Sequence, residues 1–284
     1  MLCFYHGADL DGHCAGASVK HFVPDVELIG INYGDEFPWG KVRGQQVYMV
    51  DFSLQPFDQM IRLKEEASRL IWIDHHKSAI EEWQKVGCPY INGIRRDGTG
   101  ACALVWEYFD HVVPEAVRLL AEYDVWNHTD PCTLPFQWGL RMEETRPGIN
   151  MDFWQYLFTL KKTQLMPWFE KGRLLLKYQA QENEKYIRAA AFETTLGGAP
   201  CIAVNKMLTN SQLFDSVWDA TKYAMMITFG WRKGQWTVSL YSTREDVDCS
   251  AIAKKHGGGG HKGAAGFQCM SLPFDPELHP RYLL

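Results

Sequence analysis

The chain has 284 residues, 46% of them hydrophobic and 22% charged, with a net charge of −5 and a pI of about 6.1. That length suits two modest domains, and the composition specifies a packed core rather than a disordered chain. The acidic balance argues against a protein that tracks a long nucleic-acid backbone, and no apolar run is long enough for a membrane span. In chain order, buried strands are predicted at Leu2–His6, Val26–Ile31, Val47–Val50 and Leu70–Ile73. Between or after them, Cys14–Phe22, Pro56–Ser68, Thr99–Phe109 and Pro114–Tyr123 read as helices. Strand alternating with helix predicts an α/β domain with a parallel sheet covered on both faces. A long helix follows from Pro167 to about Ala191, its apolar Phe169, Leu174, Leu175, Tyr178, Tyr186 and Ile187 interleaved with charges; Pro167 suits its opening turn. Beyond the turn-like Gly197-Gly198-Ala199-Pro200, strands are predicted at Cys201–Val204, Ala224–Phe229 and Trp236–Tyr241, then a helix near Ser250–His256. The reading is a parallel-sheet α/β domain over 1–166, a helical connector over 167–199 and a smaller α/β domain over 200–284.

The eight cysteines are scattered, with no C-x-x-C pair. A reduced, cytoplasmic chain explains this better than a disulfide framework or a structural zinc site. The N-terminus lacks a basic segment followed by an apolar stretch, so no secretory leader is expected.

Three predicted strands end in residues that bind metals. The first ends at His6 and continues Gly7-Ala8-Asp9-Leu10-Asp11-Gly12; the third ends at Asp51; the fourth runs into Asp74-His75-His76. In a parallel sheet the strand C-termini share one edge, so these segments deliver imidazoles and carboxylates to one crevice. Asp124, after the apolar helix ending at Tyr123, is a further candidate. Taken singly, Asp51 could be a helix cap and His6 an ordinary half-buried histidine. Asp-His-His after a strand is harder to set aside, because desolvated polar groups need partners. Two divalent ions ~3.5–4 Å apart clamp both the attacking and the leaving oxygen of a phosphoryl group. Mixed histidine and carboxylate ligands suit Mn, Fe or Co better than Ca or Mg. Cys14 reads as a helix-buried thiol rather than a soft ligand, and Asp97 and Asp110 as surface or capping residues.

Gly257-Gly258-Gly259-Gly260 removes every side chain that would block a phosphate, and its N–H groups can form an anion-binding concavity. His261 and Lys262 add polar or positive contacts. The run sits between a helix and an apolar end, which favours substrate binding over a flexible linker.

Asp74-His75-His76, preceded by Asp9-Leu10-Asp11-Gly12 and Asp51, resembles the DHH superfamily of phosphoesterases. The run from Gly257 through His261-Lys262-Gly263-Ala264-Ala265-Gly266-Phe267 resembles the signature of the DHHA1 domain that follows the catalytic domain in many members. The resemblance implies that His6 and Asp9 bind one metal ion, that Asp11, His75 and Asp124 bind a second, and that Asp51 bridges them, with manganese the expected ion. It implies that His76 contacts the substrate phosphate or leaving oxygen and that Asp74 supports the cluster. In the C-terminal domain it implies substrate contacts from Gly258, Gly259, Gly260 and His261. Many relatives carry a serine-x-arginine-serine pattern before the glycines; here the stretch reads Ser239-Leu240-Tyr241-Ser242-Thr243 with Arg244 beyond, so Tyr241 and Arg244 are the candidates for that contact. The activity so implied is hydrolysis of phosphodiester bonds in short oligoribonucleotides. The alternatives are a phosphoadenosine-phosphate phosphatase, a cyclic-dinucleotide phosphodiesterase or a non-catalytic nucleotide- or DNA-binding relative. The last would be favoured by loss of metal ligands, and all six are present. The expected partner is a short oligonucleotide or nucleotide, with no membrane partner and a homodimer left open.

Overall fold

Four short strands pair in parallel in the order β2–β1–β3–β4: β1 (Leu2–His6), β2 (Glu27–Ile31), β3 (Gln46–Val50) and β4 (Arg69–Ile73). The computed structural model describes residues 1–274, and the chain divides into two compact units, Met1–Leu176 and Lys177–Leu284. The last ten residues of the predicted 200–284 domain lie outside the described residues. Successive side chains of a strand face opposite sides, and both sides of this sheet are covered. Cys3 and Tyr5 of β1 join a core with α1 (Leu10–Phe22), α5 (Ala101–Phe109), α6 (Glu115–Asp124) and α8 (Met151–Thr159). Leu2 and Phe4 join a second core with α2 (Trp39–Val42), α3 (Asp58–Glu66) and α4 (Lys77–Lys85).

The strands fall within a residue of their predicted bounds. Helix α1 begins four residues earlier than predicted, because Asp9 caps it by accepting from the Gly12 N–H at 2.8 Å. Four helices over 1–166 were not predicted: α2, α4 and, after Asp124, α7 (Thr133–Leu140) and α8. Helix α7 carries Pro135 in its first turn, where a missing N–H costs nothing. Beyond β4, Asn92 and Ile94 accept from the Trp72 and Asp74 N–H groups, which extends the sheet edge.

Helix α9 (Met166–Ala190) is the predicted long helix, and the division between the two units falls inside it. Residues 192–199 are not connector. They form β5 (Phe192–Leu196) and the turn at Gly197 and Gly198, both with positive φ, leading into β6 (Ala199–Asn205). The second unit's sheet runs β5–β6–β7–β8–β10–β9, with β7 (Met225–Arg232), β8 (Gln235–Tyr241), β9 (Gly259–Gly260) and β10 (Ala264–Cys269). Among the described residues only β6 and β7 pair in parallel in this sheet. Helix α10 (Cys249–Lys255) packs on β10. Among the described residues no helix is long and apolar enough to cross a membrane.

Candidate metal centre

The chain leaves central strand β1 for β2 on one side and returns to β3 on the other. That order opens a crevice at the C-terminal edge between β1 and β3. His6 ends β1 and Asp51 follows β3 at its mouth. Asp74, His75 and His76 follow β4, Asp9 and Asp11 lie at the start of α1, and Asp124 closes α6.

These side chains converge. His75 Nε2 lies 3.2 Å from Asp51 Oδ1, 3.1 Å from Asp124 Oδ2 and 3.9 Å from Asp11 Oδ2. His6 Nδ1 lies 2.7 Å from Asp9 Oδ2 and 3.7 Å from Asp51 Oδ2. Three overlapping groups offer ligand atoms within 4.8 Å of one another: His6, Asp9 and Asp51; Asp11, His75 and Asp124; and Asp51, His75 and His76. Asp51 faces both sides of the cluster. It does so from a left-handed backbone, φ 54°, which a residue with a Cβ adopts at a cost and which aspartate tolerates better than most. Cys14 is buried in α1 and belongs to none of the three groups.

The donors have the character of a cation site. Among the described residues, His6 Nδ1, His75 Nε2 and both carboxylate oxygens of Asp51 are buried without a hydrogen-bond partner. The close approach of His6 to Asp9 therefore lies off the direction of a hydrogen bond. Each orphaned buried group costs ~1–3 kcal/mol, and four in one crevice are what a bound cation would satisfy. Two imidazoles with four carboxylates suit a pair of transition divalent ions, so the residues present fit such a pair. Burial works against charging either imidazole, but the surrounding carboxylates outweigh it. Asp51 and Asp9 raise His6 to about 10, and Asp124 and Asp51 raise His75 to about 12. Burial pushes the Asp11 carboxyl up, and the neighbouring Asp51 and Asp124 charges push it further. Protons thus gather where cations would bind.

The cluster is held from behind. The N–H groups of Ala101 and Cys102, at the N-terminus of α5, donate to the two oxygens of Asp11 at 2.6 and 3.0 Å. Each oxygen keeps a second lone pair for a cation. Asp74 is fully buried. Its Oδ1 accepts from the N–H groups of His75 and His76 at 2.8 and 3.1 Å, and contacts His76 Nδ1 at 2.7 Å; Oδ2 accepts from Trp72 Nε1 at 3.2 Å. Burial opposes ionisation of Asp74, but His76 holds its carboxyl below the usual carboxylate range.

Sequence reasoning missed three supports. His13 contacts the Gly7 carbonyl through Nε2 at 3.1 Å and Thr145 Oγ1 through Nδ1 at 2.9 Å, which ties the loop bearing Asp9 to the segment after α7. The carbonyl can only accept, so Nε2 carries the proton. The rings of Tyr33 and Phe52 each lie 5.9 Å from His6 and 4.5 Å from each other. The signal for Tyr33 was available, because β2 ends at the same sheet edge as the other three strands and Asn32-Tyr33 follow it directly. For His13 there was none.

The second unit treats its candidates differently. The Gly257 and Gly258 N–H groups donate to the Lys254 and Ala253 carbonyls and close α10; that of His261 donates to Ala264 O at 2.7 Å. Those amides are not free to cradle an anion. Gly258 is glycine for packing, since a Cβ there would lie 2.1 Å from Gly266 O. Gly259 and Gly260 form β9 against β10, and His261 is exposed in the turn between them. Tyr241 donates its hydroxyl to Thr209 O at 3.1 Å. Arg244 is bidentate to Asp246, at 2.9 and 2.6 Å, so its guanidinium already has an acidic partner.

No protein-family model matches the chain. A protein of Acanthamoeba polyphaga mimivirus is 26% identical over 274 residues, covering 86% of this chain; the chain spans 58% of that protein's length. Among solved structures, a pGpG-specific phosphodiesterase from Vibrio cholerae superposes with a TM-score of 0.56 at 12% identity, over 94% of this chain and 92% of its own. The DHH domain of a member of a ribosomal-protein family gives 0.57 at 13%, over 93% and 81%. An exopolyphosphatase-related protein from Bacteroides fragilis gives 0.51 at 14%, over 95% and 87%.

Proposed function

From the DHH-superfamily fold that the chain adopts, we propose that this protein is a divalent-metal-dependent phosphoesterase that hydrolyses phosphodiester bonds of short oligoribonucleotides. One observation carries the reading: six ligand-type side chains from five segments converge in a crevice where four of their atoms are buried and unpartnered. His6 and Asp9 would hold one ion, Asp11, His75 and Asp124 the other, and Asp51 both. This nitrogen and oxygen set suits Mn, Fe or Co better than Ca or Mg, and manganese is the ion proposed. When bound, two divalent ions supply Lewis acidity toward the phosphoryl group and lower the pKa of water toward neutrality. The remaining steps belong to the chain. Asp51 fixes the spacing of the two halves. Asp74 holds His76 through Nδ1, which leaves Nε2 to donate to a phosphate oxygen or the leaving oxygen. The α5 amides keep Asp11 from swinging out of the crevice.

The net charge of −5 supports a short substrate over a polymer. The Vibrio cholerae protein of similar fold acts on pGpG, and a substrate of that length is the one proposed here. The test is to incubate the purified protein and Mn²⁺ with dinucleotides, a long RNA strand, cyclic dinucleotides and phosphoadenosine phosphate, and to compare initial rates. Dinucleotides should turn over fastest. A long strand degraded faster overturns the substrate, and near-wild-type turnover by Asp51→Ala overturns the two-ion centre.

A further inference from the structure

Beside His6 the first unit carries a cleft of about 520 Å³, within the ~300–1,000 Å³ typical of small-molecule sites. It is lined by the segment that follows β2 and by the one that follows Asp51. Tyr33 and Phe52 belong to both the cleft lining and the ring contacts around His6, so the cleft adjoins the cluster. Trp39 adds a third aromatic surface, backed on one side by the Arg62 guanidinium 3.8 Å from its ring centre. Tyr33 is 52% exposed, a face left open to a ligand.

The polar lining is one-sided. Among the described residues no lysine or arginine lines the cleft, whereas Asp35 and Glu36 do. The nearby Arg62 is paired with Glu66 at 2.7 Å. A second phosphate would meet carboxylates and no cation, so the cleft suits the uncharged end of a nucleotide. Asn32 Oδ1, also on the lining, is buried with no partner among the described residues. The amides of Gln55 and Gln59 complete the wall. Aromatic faces stack on any base, while carboxylates and an orphaned acceptor reward bases that present N–H donors. Guanine does so most fully, with N1–H and N2–H side by side for one carboxylate.

We propose that this cleft is a nucleoside subsite, selective for guanine over uracil, that holds the base and ribose of a nucleotide whose phosphate lies at the His6–Asp51 side of the cluster. The proposal rests on the phosphoesterase reading and sharpens it. The test is calorimetric titration of the Mn²⁺-loaded protein with 5′-GMP, 5′-UMP and inorganic phosphate. GMP should bind at least about tenfold tighter than either of the others, the scale of one base stack plus a paired carboxylate. Tyr33→Ala should weaken GMP about tenfold, and Glu36→Gln should erase much of its advantage over UMP. Gln59→Trp, which fills the cleft from an exposed helix, should do the same as Tyr33→Ala by occlusion. Equal affinities for GMP and phosphate, or variants that leave the GMP affinity unchanged, overturn the subsite. Hydrolysis of bis-p-nitrophenyl phosphate by the same preparation reads the metal centre alone. Hydrolysis without GMP selectivity overturns the cleft and keeps the phosphoesterase; GMP selectivity without hydrolysis of any ester does the reverse.

Discussion

Asp51 shows what the site costs at the scale of one residue. It is buried, its carboxylate oxygens lack hydrogen bonds, and its backbone is left-handed. Asparagine accepts the same backbone and removes the buried charge. Asp51→Asn should therefore raise the melting temperature of the metal-free protein by a few degrees, while Mn²⁺ no longer raises it further, because binding stabilises only a folded state that binds. Thermal melts with and without chelator check both halves, and a Mn²⁺-dependent rise of wild-type size in the variant would remove Asp51 from the centre. His13 acts at one remove, through Gly7 and Thr145. His13→Leu keeps bulk and loses both hydrogen bonds, so Mn²⁺ affinity should fall about tenfold, in the range seen when groups supporting metal ligands are lost. Thr145→Val should have a smaller effect of the same sign, read by metal titration.

Among the elements, the junction of β1 and α1 is a close one. A Cβ on Gly12 would lie 2.1 Å from His6 O and 2.7 Å from His6 Cβ. Gly12→Ala must push α1 off the end of β1, so it should cost about 3 kcal/mol in urea unfolding and lower Mn²⁺ affinity as well, since His6 moves with it. The end of α6 is secured by Asp130, whose carboxylate accepts from Arg118 at 2.6 Å and from Lys162. Burial opposes its charge, but Lys162, the Cys132 N–H and Arg118 hold its carboxyl well below the usual carboxylate range. A depressed folded pKa stabilises above the unfolded value of about 3.8 and loses that stabilisation as pH falls through the folded one. Both cations are 40% exposed, so solvent screening limits the gain to about 1 kcal/mol. Asp130→Asn should be less stable by that amount at neutral pH, with the gap closing progressively below pH 3.8. The strands of the first sheet were legible because short apolar runs, four residues long in β1, β3 and β4, end abruptly in polar ones. The stretch from 125 to 165 was not, because its helices α7 and α8 are short and rich in aromatics, with no clean polar face. The glycine run was legible as a special backbone but not as the close of a helix and a hairpin strand, because glycine reports freedom and not its use. The approach of the α5 N-terminus to Asp11 spans ninety residues of sequence and leaves no local trace.

For the whole molecule, the division of labour is unequal. Both cores of the first unit are built from residues up to Phe169, and all six ligand-type residues and the cleft lie within that unit. A chain ending at Ala190, the last residue of α9, should therefore fold, melt cooperatively and bind the same number of Mn²⁺ ions per chain as the full protein. Metal analysis after gel filtration checks it, and a fragment that fails to bind metal although folded would show that the second unit completes the centre. In the full chain, by contrast, His261→Ala should leave metal content unchanged, since no metal-type group includes it among the described residues.

The backbone at position 51 also shapes how such a chain can drift. Of the residues that accept a left-handed conformation readily, asparagine and glycine are each a single-nucleotide change from an aspartate codon. Either would discard the shared ligand while easing the burial or the strain that it imposes. Selection for stability alone would therefore push this position toward inactivity. Under the proposed two-ion reaction, aspartate is the residue that both tolerates this backbone and serves as the shared ligand, and a chain with asparagine or glycine there could keep the fold and the cleft after losing the chemistry.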